Sequence, residues 1–375
     1  MLFRSKDDRK ILATDTGVSV VNLLPGSFFK QIDIQVNKVL IPQLTTNFAH
    51  YRNYFEQGLS YGSDASKTHK KLEMFHPDTS GAFDTRGAAN TGFTTRRDYI
   101  KDNKPFECFY NIANDLCRLD KFLPPDIEFD FTFHEAPRTF YIMGDNDNYQ
   151  MNVIDMKLYC KYIELHEPIH KAILTTAETK PYIYQAPSTT LKHYIIPQEN
   201  SSYNVPYLFS GKLPSMLLLS FVSQKAFYGD IQSNPFTLTP KDIEKADLRR
   251  NGASYPGIPY TFDTAVSGLK YIRAYSDFVK VMGLENDNAG NLITPGQYSR
   301  DTFMLAYDFN PDTCQGQHVH KADSGVLSVE LTFKSGIPTP VVLLVYATFN
   351  SEVIFYGSGH KGGSKLASNV EVNII

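Results

Sequence analysis

Ile127-Glu-Phe-Asp-Phe-Thr-Phe133 alternates apolar and polar residues without a break, so Ile127, Phe129, Phe131 and Phe133 share one face. A period of two marks a half-buried strand. The second half of the chain carries the same pattern in Leu327-Ser-Val-Glu-Leu-Thr-Phe333. Both stretches end in Thr-Phe, both are followed by a proline (Pro137, Pro338), and both lie downstream of an Asp-x-Cys (Asp115-Leu-Cys117, Asp312-Thr-Cys314). A repeated order of elements points to two copies of one β fold.

Working outward, strands are expected at 31–36, 106–110 and 139–143. The polar run Gly144-Asp-Asn-Asp-Asn-Tyr-Gln150 then marks a boundary between a first domain, 1–150, and a second, 151–375. The second half predicts strands at 153–165, 191–196, 216–222, 302–309, 326–333, 341–349 and 353–356. Helical spacing joins Phe48, Tyr51, Phe55 and Leu59, with Thr45 or Thr46 as cap, and a second helix is expected over 264–282. Residues 62–105 and 230–262 read as long loops, candidates for outer towers or subunit contacts.

Composition agrees with a β-rich class. The 375 residues include 26 Phe and 23 Tyr, which favour strands, and 23 Gly and 21 Pro to turn the chain often. A net charge of −3 excludes a global basic field for nucleic acid. The pairs Arg9-Lys10 and Arg96-Arg97 read as solvated surface. Four cysteines (Cys108, Cys117, Cys160, Cys314) make no disulfide framework and read as small buried residues in a reducing compartment. Residues 1–10 are too charged for a secretion signal, and no apolar run is long enough to cross a membrane as a helix.

Three motifs suggest chemistry, and the context of each argues against it. His166-Glu-Pro-Ile-His170 has the zinc-protease spacing, which needs both histidines on one helical face. Pro168 disfavours helix at Glu167 and is itself a natural first helical residue, so the two histidines are not expected to share a face. Gly357-Ser-Gly-His-Lys-Gly362 fits a dinucleotide fingerprint, but the 13 residues after it leave no room for the helix and second strand that site requires; a flexible C-terminal arm is expected. Gly363 stands where a P-loop needs lysine. His318-Val-His320 has strand spacing for two ligands, without a third to complete a metal site. No catalytic, cofactor-binding or metal-binding residue is assigned.

Several segments together resemble a known family. In the first half these are Asn22-Leu-Leu-Pro-Gly-Ser-Phe-Phe-Lys-Gln-Ile-Asp-Ile34, Tyr51-Arg-Asn-Tyr-Phe-Glu56 with Leu59-Ser-Tyr-Gly62, and Phe122-Leu-Pro-Pro-Asp-Ile127. In the second half they are Tyr207-Leu-Phe-Ser-Gly-Lys-Leu-Pro214, Ala226-Phe-Tyr-Gly229, Asn234-Pro-Phe236, Tyr307-Asp-Phe-Asn-Pro-Asp312 and Gly325-Val-Leu-Ser-Val-Glu-Leu-Thr-Phe333. Their order over residues 20–350 resembles the double jelly-roll major capsid proteins of Polinton (Maverick) elements and adintoviruses, within the adenovirus-like lineage. The resemblance implies a mostly β chain of two jelly-roll sandwiches with a few short helices and long loops. It implies a structural protein rather than an enzyme, forming a homotrimer that is a pseudo-hexagonal capsomer. The expected partners are itself, neighbouring capsomers and minor or penton capsid proteins, in a virion built inside the host cell. Family members carry further strand-forming sequence before the Asn22 segment, so the resemblance places Met1 inside the first jelly roll. The alternative is a carbohydrate-binding or hydrolytic β-sandwich, which would show exposed aromatic platforms and a paired-carboxylate cleft.

Overall fold

The computed structural model describes residues 2–5, 17–101, 105–119, 121–125, 127–262, 271–286, 290–311, 320, 323–356 and 370–374. The first group of strands is β1 (Leu2–Ser5), β2 (Ser19–Val20), β3 (Phe29–Val36), β4 (Val39–Leu40), β5 (Thr46–Asn47), β6 (Phe129–Glu135), β7 (Ile142–Met143) and β8 (Tyr149–Asn152). The second is β9 (Tyr182–Ile196), β10 (Ser202–Lys212), β11 (Met216–Ser223), β12 (Ile243–Arg250), β13 (Ala253–Thr261), β14 (Met304–Asp308), β15 (Ser324–Phe333), β16 (Val341–Phe355) and β17 (Val370–Ile374). The chain is mostly β, with short helices between strands.

In the second group, β9 to β16 make two antiparallel sheets, β9-β16-β11-β14 and β10-β15-β12-β13. Counted along the chain, one sheet holds the first, eighth, third and sixth strands. The other holds the second, seventh, fourth and fifth. That interleaving of eight strands is a jelly roll. The sequence explains the layers. Val341-Val-Leu-Leu-Val-Tyr-Ala347 is buried throughout, as befits a central strand covered on both faces. In β15, buried Leu327, Val329, Leu331 and Phe333 alternate with more exposed residues, as its period of two predicts.

The first group is built around β3, which pairs with β6 along one edge and with β4 and β5 along the other. Strands β9 and β16 are each 15 residues long and run past the jelly roll to reach this sheet. Their far ends place Tyr184, Val353 and Phe355 against Ile34, Val36 and Leu116 in a second core. Strand β17 pairs with the same overhang, at residues 351–355 of β16. The two halves therefore share a core as well as a chain.

Several expected elements differ. Residues 230–242 carry no helix or named strand, as a loop should, but 243–261 are not loop: β12 and β13 form a hairpin there, with β12 inside its sheet. The turn is Asn251-Gly252, both at positive φ (52° and 84°), the geometry that twists with the strands. Asn251 Oδ1 also accepts the Val326 N–H at 2.9 Å. A side chain at Gly325 would meet that asparagine at 2.6 Å, so the turn depends on glycine opposite it. Residues 62–105 contain helices at Ser63–Lys67 and Thr91–Ile100 and a tighter turn at His69–Glu73. Residues 139–143 split into a helix, Arg138–Tyr141, started after Pro137, and the short β7. Residues 106–110 form no strand. The helix from Phe48 onward is present over Ala49–Asn53 and continues into a wider turn at Tyr54–Gly58. Its cap position is Phe48, not Thr45 or Thr46. The later helix spans Ile272–Val281; the expected Val266 and Leu269 lie outside the described residues.

Asn90 starts the Thr91–Ile100 helix. Its Oδ1 accepts the Phe93 and Thr79 N–H groups at 3.2 Å each, and its Nδ2 donates to the Ala82 carbonyl at 3.0 Å. Asn90→Ala strips a cap and leaves buried partners unmet, so it is expected to cost about 2 kcal/mol, read from the urea midpoint.

Candidate interaction surface

The spacing of Phe48, Tyr51 and Phe55 faces one side of a short helix toward the second half. There Tyr54 stacks on Phe236 at 4.3 Å and 3°, and Tyr51 stacks on Phe227 at 5.6 Å and 18°. The Tyr51 hydroxyl donates to the Pro235 carbonyl at 3.1 Å. Aromatic pairs of this kind add to simple burial. The seam joins the halves through side chains from both.

Two buried ionic clusters reinforce it. In the first, Arg52 donates to Glu56 at 2.7 Å and to Asp115, whose Oδ2 also accepts the Thr189 N–H at 3.2 Å. Burial opposes the Arg52 charge, but Asp115 and Glu56 outweigh it and raise its pKa. The Tyr346 hydroxyl reaches Glu56 at 3.3 Å. In the second, Arg96 donates to the Val20 carbonyl at 2.8 Å, to the His76 carbonyl and to Asp78 at 2.6 Å. Asn234 of the second half donates to the other Asp78 oxygen at 3.1 Å. Arg96 is fully buried, so its reading as solvated surface is corrected: five N–H donors can be met inside when carbonyls and a carboxylate converge on them. Arg9-Lys10 lies outside the described residues. Asp301 accepts the Gly81 N–H at 2.6 Å and the Ser80 hydroxyl at 3.2 Å, which docks residues 80–81 on the second half. These charges meet structural partners.

Among the described residues the flagged motifs bring no site together. His166 sits outside the helix Glu167–Ala177 with extended backbone, and Pro168 lies in the first turn, so the two histidines occupy different kinds of position. Gly357 to Gly362 and His318 lie outside the described residues. No group of three His, Cys, Asp or Glu able to hold a metal occurs among the described residues. Cys117 and Cys160 are exposed, correcting the buried reading; Cys314 is not described. Burial pushes the half-buried Cys108 thiol up to about 11, away from reactive thiolate. No helix among the described residues is long and apolar enough to cross a membrane.

Outside the seam, one surface stands apart. Residues 153–165, expected as a long strand, form none. The segment has no helix, turn or bend, and residues 153–164 are all exposed. It carries Ile154, Met156, Leu158, Tyr159 (74% exposed), Tyr162 (88%) and Ile163. Beside it a groove of about 1020 Å³ is lined by Phe29, Phe131 and Phe133 of the sheet together with Tyr110, Met156 and Leu158. Exposed apolar surface on this scale marks a contact site. The expectation of a strand here is not met: a strand needs a partner, and none of the described residues supplies one.

No protein-family model matches the chain. An uncharacterized protein of Caenorhabditis elegans is 24% identical over 343 residues, which cover 88% of this chain and 78% of that one. Among solved structures, the chain is similar to the PBCV-1 virus capsid, with 9% identity, 100% of this chain and 88% of that chain covered and a TM-score of 0.47. It is similar to the Sputnik virophage structure, with 9% identity, 100% and 80% covered and a TM-score of 0.49. It is also similar to the mavirus major capsid protein, with 11% identity, 100% and 82% covered and a TM-score of 0.37. The jelly-roll assignment of the second half rests on its own strand order.

Proposed function

We propose that the protein is a structural subunit of a virus-like shell, a major capsid protein that forms trimeric, pseudo-hexagonal capsomers in the virion. The supporting observation is the eight-strand jelly-roll order of β9 to β16 joined, through a core packed against the ends of its two long strands, to a second β unit. Rigid sheets make walls that loops can decorate, which suits tiling. The ordered segments that resemble Polinton and adintovirus capsid proteins favour this reading over other users of the fold. We further propose that the division near residue 150 separates two jelly-roll units, and that minor or penton capsid proteins are additional partners.

Light scattering with negative-stain imaging tests the reading. The expected result is a particle of three chain masses, with hexagonal outlines or sheets. A stable monomer that binds members of a glycan panel would overturn it in favour of a carbohydrate-binding sandwich.

A further inference from the structure

We propose that Asn251 is a latent site of covalent modification: its side chain deamidates through the Gly252 backbone nitrogen, a reaction that the fold holds off and that opening of the β12–β13 hairpin releases. Asn251-Gly252 is the one Asn-Gly pair in the sequence. The hairpin favours such a pair, because Arg250 pairs with Ala253 and both residues between them take positive φ. The same pair is the one in which an asparagine side chain cyclises most readily, since no Cβ at Gly252 shields the attacking nitrogen. Both residues are exposed, so water reaches them.

In the reaction the Gly252 nitrogen gives up its proton and bonds to Asn251 Cγ. The Cγ–Nδ2 bond breaks, and the amide nitrogen leaves as ammonia with that proton. Water then opens the cyclic imide at either carbonyl, giving aspartate or isoaspartate. One water is consumed, one ammonia is released and nothing is oxidised or reduced.

The folded turn withholds the carbon that must be attacked. Asn251 Oδ1 accepts the Val326 N–H at 2.9 Å, and the Asn251 N–H donates to the Val326 carbonyl at 2.9 Å, so side chain and backbone are both tied to β15. The carboxamide lies against Gly325, where a Cβ would stand 2.6 Å from Oδ1 and 2.9 Å from Nδ2. It cannot swing to the Gly252 nitrogen without giving up the Val326 bond. The two products then differ in effect. Aspartate keeps an oxygen for Val326. Isoaspartate routes the backbone through the side chain and adds a methylene, which a two-residue turn does not absorb. Because β12 lies between β15 and β13, a hairpin that cannot reclose leaves an interior strand short of a partner. A transient opening thereby becomes permanent.

Peptide mapping with isoaspartate detection tests this in warm, mildly alkaline buffer, with the chain folded and in urea. Asn251 is expected to react at least about tenfold more slowly in the folded chain, the factor that one hydrogen bond of ordinary strength supplies. Gly325→Ala, which pushes the carboxamide off β15, is expected to speed the reaction severalfold while the urea transition shows the variant folded. Asn251→Asp, the benign product, is expected to keep the parent's urea midpoint. Equal rates in the folded chain and in urea would overturn the proposal, whatever the variants do. So would a folded Gly325→Ala chain that reacts no faster than the parent. These readouts stand apart from the trimer mass and from the capsid reading.

Discussion

Arg96→Met is expected to lower the free energy of unfolding by about 3–5 kcal/mol, read from urea midpoints at unchanged slope. The cost comes from what is left behind. Arg96 has no exposed surface and meets the Val20 and His76 carbonyls and the Asp78 carboxylate together. Methionine fills the volume but donates nothing, so a buried carboxylate loses its counter-charge and keeps only Asn234. The double variant Arg96→Met with Asp78→Leu removes both charges. It is expected to recover part of the loss, because an unpaired buried charge costs more than an absent pair. A single-variant effect below about 1 kcal/mol would mean that water reaches the pair, since that is the range of exposed salt bridges.

The same residue shows where sequence reading runs out. Charge type alone placed Arg96 at the surface. Nothing local states that Val20, His76, Asp78 and Asn234 converge on it, because those groups arrive from three separate places in the chain. Patterns confined to one strand were readable: the alternation of β6 and β15 and the apolar run of β16 follow from burial of one face or two. The β12–β13 hairpin was missed although Asn251-Gly252 is a strong turn signal, because proline and glycine in β13 (Pro256, Gly257, Pro259) imitate a loop. The Thr91–Ile100 helix was missed because threonines and arginines hide any apolar stripe; only the Asn90 cap advertises it. Residues 153–165 show the converse case, a segment with the composition of a strand whose partner is not in view.

Acidification from pH 7 to pH 4 is expected to remove about 3 kcal/mol of stability through His50 alone. His50 lies on the helix Ala49–Asn53 with its ring 4.2 Å from that of Phe140 and 5.0 Å from that of Tyr51. Its Nδ1 is buried without a partner. Burial drives its pKa from 6.5 down to about 3; the nearby Phe48 backbone opposes the shift, and the Lys30 charge adds to it. The unfolded chain therefore binds a proton at a pH where the folded one does not. Stability from this group is complete above pH 6.5 and declines toward pH 3, by about 1.4 kcal/mol per unit. His76, lowered to about 4 chiefly by burial and then by Lys71 and Arg96, acts in the same direction. Asp301 acts oppositely, because burial raises its pKa and the folded state then holds a proton more tightly than the unfolded chain. His50→Gln cannot titrate, so its stability should fall less steeply than that of the parent across pH 6.5 to 4, by about one proton's worth of slope. Urea midpoints at four pH values measure both slopes. Equal slopes would show that the aromatic seam admits water at His50 and that the two halves part there more easily than the packing implies.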